Sequence, residues 1–507
     1  MATTVEITEE RHSVLPPLSR AVPALVVAFG VLVCVTQNGY ELAGDEYFFL
    51  VAGDHLAWGY ADQPPLVAAL ARLSDTLMPG SRMLLRLPMV LAVCAGILVT
   101  ALIAREFGGR RKVQLLAAAA FMLSTYTLVH TRAVTTDAID MACWATVTWL
   151  LVRWTRTRRD GLWWGIGLAT AFALQGKYII GVFWIVVALA FLLVGPRDVF
   201  RKPVVWLAGL LAALSTIPSL AWQARNGWPQ ADEGPAIWAD AEALGGHLVF
   251  FPSLFSWLGI AGAVLFCWGT WWLLKHGGDN RFLGVVLLLV VALVWLVELR
   301  RNYLGGLFPL GIAVGAVQFG QLAERRRWLW NGTALPALGL TVAVLLPALI
   351  PVGPGWLSGV NRYLLPDHRF DWDGLAVAVS EVVRQVPESE RDTTVVIAGD
   401  YWRSSVLERL RDKHSLPLVY GDMQGSYFFG PPPPDTRTVI YVDELPEPLK
   451  RNCGSHELSR TFVDPHTSPV HQEQTHTPIH LCRDLRVPID RLWPELRHTT
   501  LPWDGRE

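Results

Sequence analysis

Eleven apolar stretches recur over the first 352 residues, at roughly 21–40, 83–104, 113–131, 138–153, 162–176, 178–195, 204–222, 248–274, 282–298, 303–323 and 333–352. Most are as long as the about 17–25 residues a helix needs to cross a hydrocarbon core. A bilayer offers no water to satisfy backbone polar groups, so such segments cross as helices. Only 17% of the 507 residues are charged, against roughly 25% in a soluble chain. The chain therefore reads as a polytopic α-helical membrane protein of about 11 spans. The segments at 138–153 and 162–176 are short enough to be half-embedded. The first span, flanked by Glu9, Glu10, Arg11 and Arg20 and followed by no small-x-small cleavage site before Asn38, reads as a retained anchor rather than a signal peptide.

Loop charge gives the orientation, because cytoplasmic loops carry excess Lys and Arg. With residues 1–20 as a cytoplasmic tail, the inner loops REFGGRRK, RWTRTRRD, GPRDVFRKP, KHGGDNR and ERRR hold 16 Lys and Arg. The outer loops, 41–82, 131–137, 176–178, 223–247 and 299–302, hold 7. The expected organisation is a transmembrane domain over 21–352, with 41–82 as its first outer loop, and an extracytoplasmic domain over 353–507. A multi-pass plasma (inner) membrane protein follows.

The composition changes in that last part. TTVVIAGD (393–400), LPLVYGD (416–422) and TRTVIYVDEL (436–445) read as short buried strands, and SSVLERLRDKH (404–414) as a helix between two of them. A small α/β domain is predicted, with the end after about 485 loosely ordered. No internal repeat of fixed period is visible. Cys453 and Cys482 both lie in this part, where an extracytoplasmic location permits a disulfide; two free thiols are the alternative. The His-rich stretch 466–480 lacks the tight ligand spacing of a zinc site.

Polar residues gather at the outer edge. Asp45 and Glu46 follow the first span. Asp62 lies in YADQPPL, and Arg132 and Asp137 in HTRAVTTDAID. Lys177 and Tyr178 interrupt an apolar run in ALQGKYIIG. Arg300, Arg301, Asn302 and Tyr303 form RRNY. Taken singly, each has a plain reading as turn former, headgroup anchor or internal ion pair. Together they mark a site, because ionisable groups at membrane depth are costly and usually pair or line a functional cavity. A carboxylate beside a hydroxyl can act as general base. Arg and Lys hold phosphate by charge and forked hydrogen bonds. No phosphate-binding glycine loop or nucleotide fingerprint is present, which argues against a nucleotide-sugar donor. This set fits transfer from a lipid phosphate. A transporter or flippase for a lipid-linked solute is the alternative, but it would place charges near the midplane on broken helices, often in repeated halves. A partner-binding protein working through its exported tail would leave Lys177 and the Asp-Glu pair unexplained.

The pattern DEYFFLVAGDHLAWGYADQPPLVAAL, then Arg132 and Asp137 in a short loop, then LQGKYIIGVF, NGWP and RRNYLGGLFP, resembles the bacterial branch of the protein-mannosyltransferase-like superfamily. These are polytopic glycosyltransferases of family 39 and their aminoarabinose-transferase relatives, and the resemblance runs nearly the whole length. It implies the C-type glycosyltransferase fold, a polyprenyl-phosphate sugar donor, an extracytoplasmic hydroxyl acceptor on protein, cell-wall glycan or glycolipid, and inverting single-step transfer, with no nucleic-acid partner. Carried onto this sequence, it makes Asp45 the general base and has Glu46 orient Asp45 or the acceptor. Lys177, Arg132 and one of Arg300 or Arg301 stabilise the departing phosphate. Asp137 orients Arg132 or the sugar, Asp62 contributes to substrate binding, and Tyr178 and Tyr303 cover the sugar or lipid phosphate. One departure stands out: the aminoarabinose transferases carry Glu-Lys before the Pro-Pro pair, where this chain has Asp62-Gln63. The uncharged Gln63 passes any phosphate role to Lys177. Asp62 and His247 are two candidate ligands for a divalent cation; no obligatory metal or cofactor is expected.

Overall fold

The computed structural model describes residues 15–235, 238, 242, 245–349, 370–465 and 476–499. The start of the predicted exported domain and most of the His-rich stretch lie outside them. The membrane part comprises α1 (Ala21–Thr36), α2 (Gly44–Asp54), α3 (Leu66–Leu77), α4 (Arg82–Glu106), α5 (Arg111–Met122), α6 (Thr125–His130), α7 (Thr136–Thr157), α8 (Leu162–Leu174), α9 (Ile180–Val194), α10 (Pro203–Ser215), α11 (Ile217–Arg225), α12 (Gly246–His276), α13 (Arg281–Leu296), α14 (Phe308–Arg325) and α15 (Leu335–Leu349).

Each of the eleven apolar stretches carries helix. By length and hydropathy, however, five of the described helices suffice to cross a membrane, or six if α10 and α11 form one span bent by 41°. That bend has a local cause. Pro218 is the second residue of α11, and proline gives no N–H to the preceding turn. The stretch at 113–131 also divides, where the Ser124 hydroxyl caps α6 by accepting the Thr127 N–H at 3.2 Å.

The helices share one buried core that includes Phe121, Trp144, Trp154, Phe183 and Phe308. Small residues bring α12 and α14 into backbone contact. A Cβ on Gly269 would lie 2.1 Å from the Gly311 carbonyl, and one on Gly315 2.0 Å from the Leu265 carbonyl. On the outside, Trp206, Leu207, Leu210 and Leu214 of α10 are exposed. Such a surface suits lipid rather than water.

The C-terminal part is a small α/β unit: α16 (Trp372–Val383), β1 (Thr394–Ala398), α17 (Tyr401–His414), β2 (Val419–Gly421), α18 (Gln424–Tyr427), β3 (Thr438–Val442), α19 (Glu447–Asn452), β4 (Ser455–Val463), β5 (His476–Arg483) and α20 (Ile489–Leu496). The strand order is β2-β1-β3-β5-β4. The first three strands are parallel, and β5 runs antiparallel to both β3 and β4. β1 and β3 are buried at every position, as strands covered on both faces must be. Over 485–499 the chain is not loose: Ile489, Leu492, Trp493 and Leu496 recur at helical spacing and bury against Val395, Ile397 and Tyr441.

Cys453 and Cys482 are joined, closing a loop of sequence separation 29. Closing such a loop restricts the unfolded chain by roughly 3–4 kcal/mol in the chain-entropy account. A double Cys453→Ser, Cys482→Ser variant is expected to open its C-terminal unit to protease at clearly lower denaturant than the wild type. Equal protection in the two proteins would contradict this.

Candidate active site

The site begins at the N-terminus of α2, where Asp45 and Glu46 occupy the first turn and meet the positive end of the helix dipole. Their fates differ. Glu46 is fully buried. Arg86 of α4 forks onto both its oxygens, Nε to Oε1 and Nη2 to Oε2, each at 2.7 Å. The Ala43 N–H reaches Oε2 at 2.9 Å and the Val134 N–H reaches Oε1 at 3.2 Å. Arg86 also donates to the Gln37 and Glu41 carbonyls, at 3.1 and 2.6 Å. This staple ties the end of α1, the start of α2, α4 and the 131–135 loop together. The expectation that Glu46 orients Asp45 or an acceptor is corrected accordingly: its carboxylate is consumed by Arg86 and two backbone amides, and it holds the scaffold.

Asp45 is half-buried and faces the C-terminal unit. The Tyr401 hydroxyl donates to Asp45 Oδ1 at 3.0 Å, and the Trp402 indole N–H donates to the same oxygen at 2.7 Å. The Tyr401 ring packs edge-on against Phe48, with centroids 5.2 Å apart. A Cβ on Gly44 would come within 2.3 Å of the Trp402 indole, so only glycine lets α2 and α17 approach this closely. Further along, Arg409 reaches Asp54 at 3.1 Å and Asp75 at 2.8 Å.

A second centre forms around Asp137, in the first turn of α7. Lys177 Nζ lies 2.7 Å from Oδ1, Asn302 Nδ2 donates to Oδ2 at 2.8 Å, and His130 Nε2 is 3.6 Å from Oδ2. Lys177 also sits over the Tyr303 ring, 4.4 Å from its centre. The RRNYLGG segment places Asn302 and Tyr303 through a tight 3-10 turn, Arg301–Leu307. Its glycines abut aromatic rings: a Cβ on Gly305 would lie 2.0 Å from Tyr126, and one on Gly306 2.5 Å from Trp144. Asp137 thus pairs with Lys177 and Asn302 and not with Arg132, which corrects the expectation that it orients Arg132.

Arg132 is buried over the ring of Tyr40, 4.3 Å from its centre. Among the described residues its three guanidinium nitrogens make no hydrogen bond. A buried cation with five unused donors is costly unless an anion meets it. Arg301 donates to Ser253 Oγ at 3.2 Å, and the Tyr178 and Ser219 hydroxyls bond each other. His247 pairs with Glu298 at 2.5 Å rather than facing Asp62 across a cation. Among the described residues no three His, Cys, Asp or Glu side chains gather as metal ligands.

Asp62 sits in the loop between α2 and α3, braced where Gln223 donates to the Tyr60 carbonyl at 2.8 Å and Gln230 to the Asp62 carbonyl at 3.3 Å. Among the described residues its Oδ1 is buried without a hydrogen-bond partner, as is Gln63 Nε2. Burial pushes its carboxyl up to about 6 against the hydrogen bond from its own backbone N–H; the Asp45 charge adds to the rise, and Arg300 and Lys177 oppose it. A folded-state value above the unfolded 3.8 means that the folded protein holds this proton more tightly. Its contribution to stability is full below pH 3.8 and lost as the pH passes 6. Asp62→Asn is therefore expected to raise thermal stability in detergent at pH 7.5 by about 2–3 kcal/mol and to leave it unchanged near pH 4. A variant less stable than wild type at pH 7.5 would contradict this.

Sequence reasoning missed Arg86, His130, Tyr401 and Trp402 at this site. A lone arginine inside the apolar run 83–104 was a usable signal for Arg86. Nothing in the sequence links residue 45 to residues 401 and 402.

These features define a helical membrane protein with charged groups collected beneath a covering α/β unit. Residues 62–222 match the family described as dolichyl-phosphate-mannose-protein mannosyltransferase. The crystal structure of ArnT from Cupriavidus metallidurans bound to undecaprenyl phosphate is similar with a TM-score of 0.56 at 15% identity, over 91% of this chain and 98% of that one. The apo form of the same protein gives 0.57 at 14% identity with the same coverage. A mutant of the arabinofuranosyltransferase AftD from Mycobacteria gives 0.50 at 14% identity, over 93% of this chain and 42% of that one. No curated protein matches the sequence at a significant level. The chain shares the fold of the ArnT structures, a C-type glycosyltransferase fold, and its resemblance to the protein-mannosyltransferase-like superfamily is borne out over residues 62–222.

Proposed function

We propose that the chain is a membrane glycosyltransferase that moves a sugar from a polyprenyl-phosphate donor to an extracytoplasmic hydroxyl acceptor, with inversion. The observation that carries this reading is that a half-buried carboxylate, Asp45, and a buried guanidinium, Arg132, whose donors have no hydrogen-bond partner among the described residues, both belong to the outer-edge charges. The fold shared with a protein crystallised with undecaprenyl phosphate and the mannosyltransferase match support a lipid-phosphate donor.

In the proposed reaction the acceptor oxygen attacks the anomeric carbon as Asp45 takes its proton. The bond from that carbon to the phosphate oxygen breaks, and the phosphate leaves with the electron pair. Arg132 meets the growing phosphate charge, a role that Arg300 or Arg301 shares. A charged donor already held in a water-poor site stabilises such a leaving group without reorganisation. Lys177, held by Asp137, which Asn302 holds in turn, presents its remaining donors to phosphate or sugar, with Tyr303 beneath it. Tyr178 and Asp62 line the sugar side. The chain is oriented with its N-terminus cytoplasmic, up to eleven spans, and residues 353–507 outside.

The test uses purified protein in nanodiscs, supplied with labelled polyprenyl-phosphate sugars and envelope acceptor extracts. Label passing from one donor into product supports the reading and names the sugar. Saturable lipid-phosphate binding with no transfer from any donor would favour a flippase.

A further inference from the structure

The C-terminal unit reaches across 356 residues of chain to bond Asp45. Two side chains from the first turn of α17, Tyr401 and Trp402, donate to one oxygen of that carboxylate, at 3.0 and 2.7 Å. A carboxylate offers about four lone-pair sites on two oxygens. Both protein donors fall on Oδ1, so neither occupies Oδ2. Neither donor is loosely held. Tyr401 packs against Phe48 of α2, Trp402 fills the space that a side chain on Gly44 would need, and the Asp400 carboxylate caps the turn by accepting the Trp402 and Arg403 N–H groups at 2.7 and 2.8 Å. Asp400 and Asp443 hold Arg403 in turn, which ties the turn to the end of β3.

We infer that Tyr401 and Trp402 are positioning residues for Asp45, so that the exported α/β unit completes the active site instead of merely covering it. The inference rests on the reading of Asp45 as general base. Two donors on Oδ1 fix the carboxylate plane and leave Oδ2 to receive the acceptor proton. Tyr401 from α17 and Asp62 from the loop after α2 interact with Asp45; Arg300 faces both of them, and Lys177 faces Asp62. Tyr401 and Trp402 are neutral at working pH. Replacing them by Phe deletes hydrogen bonds that Asp45 accepts and leaves the charge around Asp62 unchanged.

The experiment compares full-length wild type, Tyr401→Phe, Trp402→Phe and the double variant in nanodiscs, following kcat/KM against pH. Tyr401→Phe keeps the ring that packs on Phe48, and Trp402→Phe keeps a smaller aromatic ring beside Gly44. The acidic limb is expected to move up in each single variant and further in the double, because a carboxylate that loses hydrogen-bond donors holds its proton more tightly, with kcat falling several-fold and donor KM unchanged. Gly44→Ala, which displaces the Trp402 indole while leaving both donors in the sequence, is expected to move the limb the same way and serves if a Phe variant does not fold. A limb that stays put in the variants overturns the inference, whether or not kcat falls, because a purely structural role lowers rate without changing the titration. Asp45→Asn is run alongside. If it retains full transfer, the base reading itself fails; if it is inactive while the limb is unmoved, only the positioning role fails.

Discussion

Asp45→Asn is expected to lower sugar transfer by about 10³-fold, within the 10²–10⁴ range that a positioned general base supplies, with wild-type expression and thermal stability. The amide is nearly isosteric. Its oxygen can still accept the Tyr401 and Trp402 donors that Asp45 Oδ1 accepts now, so the contact between α2 and α17 survives. What is lost is the ability to take a proton from the acceptor. Donor binding should change little, because phosphate recognition falls to the cations. The check is a single-turnover transfer assay beside a lipid-phosphate binding measurement. Transfer at wild-type rate would remove Asp45 as the base.

The second large effect is at Arg132. Its guanidinium is buried and without a hydrogen-bond partner among the described residues, so in the donor-free protein it is a cost. With the phosphate present it gains charge-assisted bonds, each worth about 1.5–3 kcal/mol. Arg132→Gln should therefore weaken donor binding by about 10²-fold while leaving the protein as stable as wild type or more so. Lys177→Ala makes the contrast. Lys177 is paired with Asp137 at 2.7 Å, and removing one partner of a buried pair typically costs about 3–5 kcal/mol. That variant should lose both stability and donor use. If Arg132→Gln bound donor as wild type does, its role would be structural.

Much of the architecture is legible in the sequence because the bilayer permits so little else. Apolar runs of spanning length must be helix, and all eleven carry helix. Which of them cross fully is less legible. Of the two short runs, 162–176 gives a helix of 13 residues and 138–153 lies within the 22-residue α7, which carries Asp137 and Asp140 near its start; the longer run 178–195 gives a helix of only 15 residues. The three parallel strands were readable as β-branched apolar runs ending in turn residues. β4 was not, since nearly all its residues are exposed and it pairs at a sheet edge where no apolar alternation is demanded. At the site, the outer-edge charges were readable as a group because charge near lipid needs a reason. Their pairing was not. Whether Glu46 points at Asp45 or at Arg86 depends on where α4 packs, and that Tyr401 meets Asp45 depends on how the C-terminal unit seats on α2. Neither leaves a mark in local pattern.

The central claim is a single displacement: the acceptor attacks the anomeric carbon as Asp45 takes its proton and the lipid phosphate departs. The anomeric configuration of the product, read by NMR after reaction with a donor of defined configuration, tests this most directly. Inversion is the predicted result. Retention would contradict the account, since a single back-side displacement at the anomeric carbon must invert it.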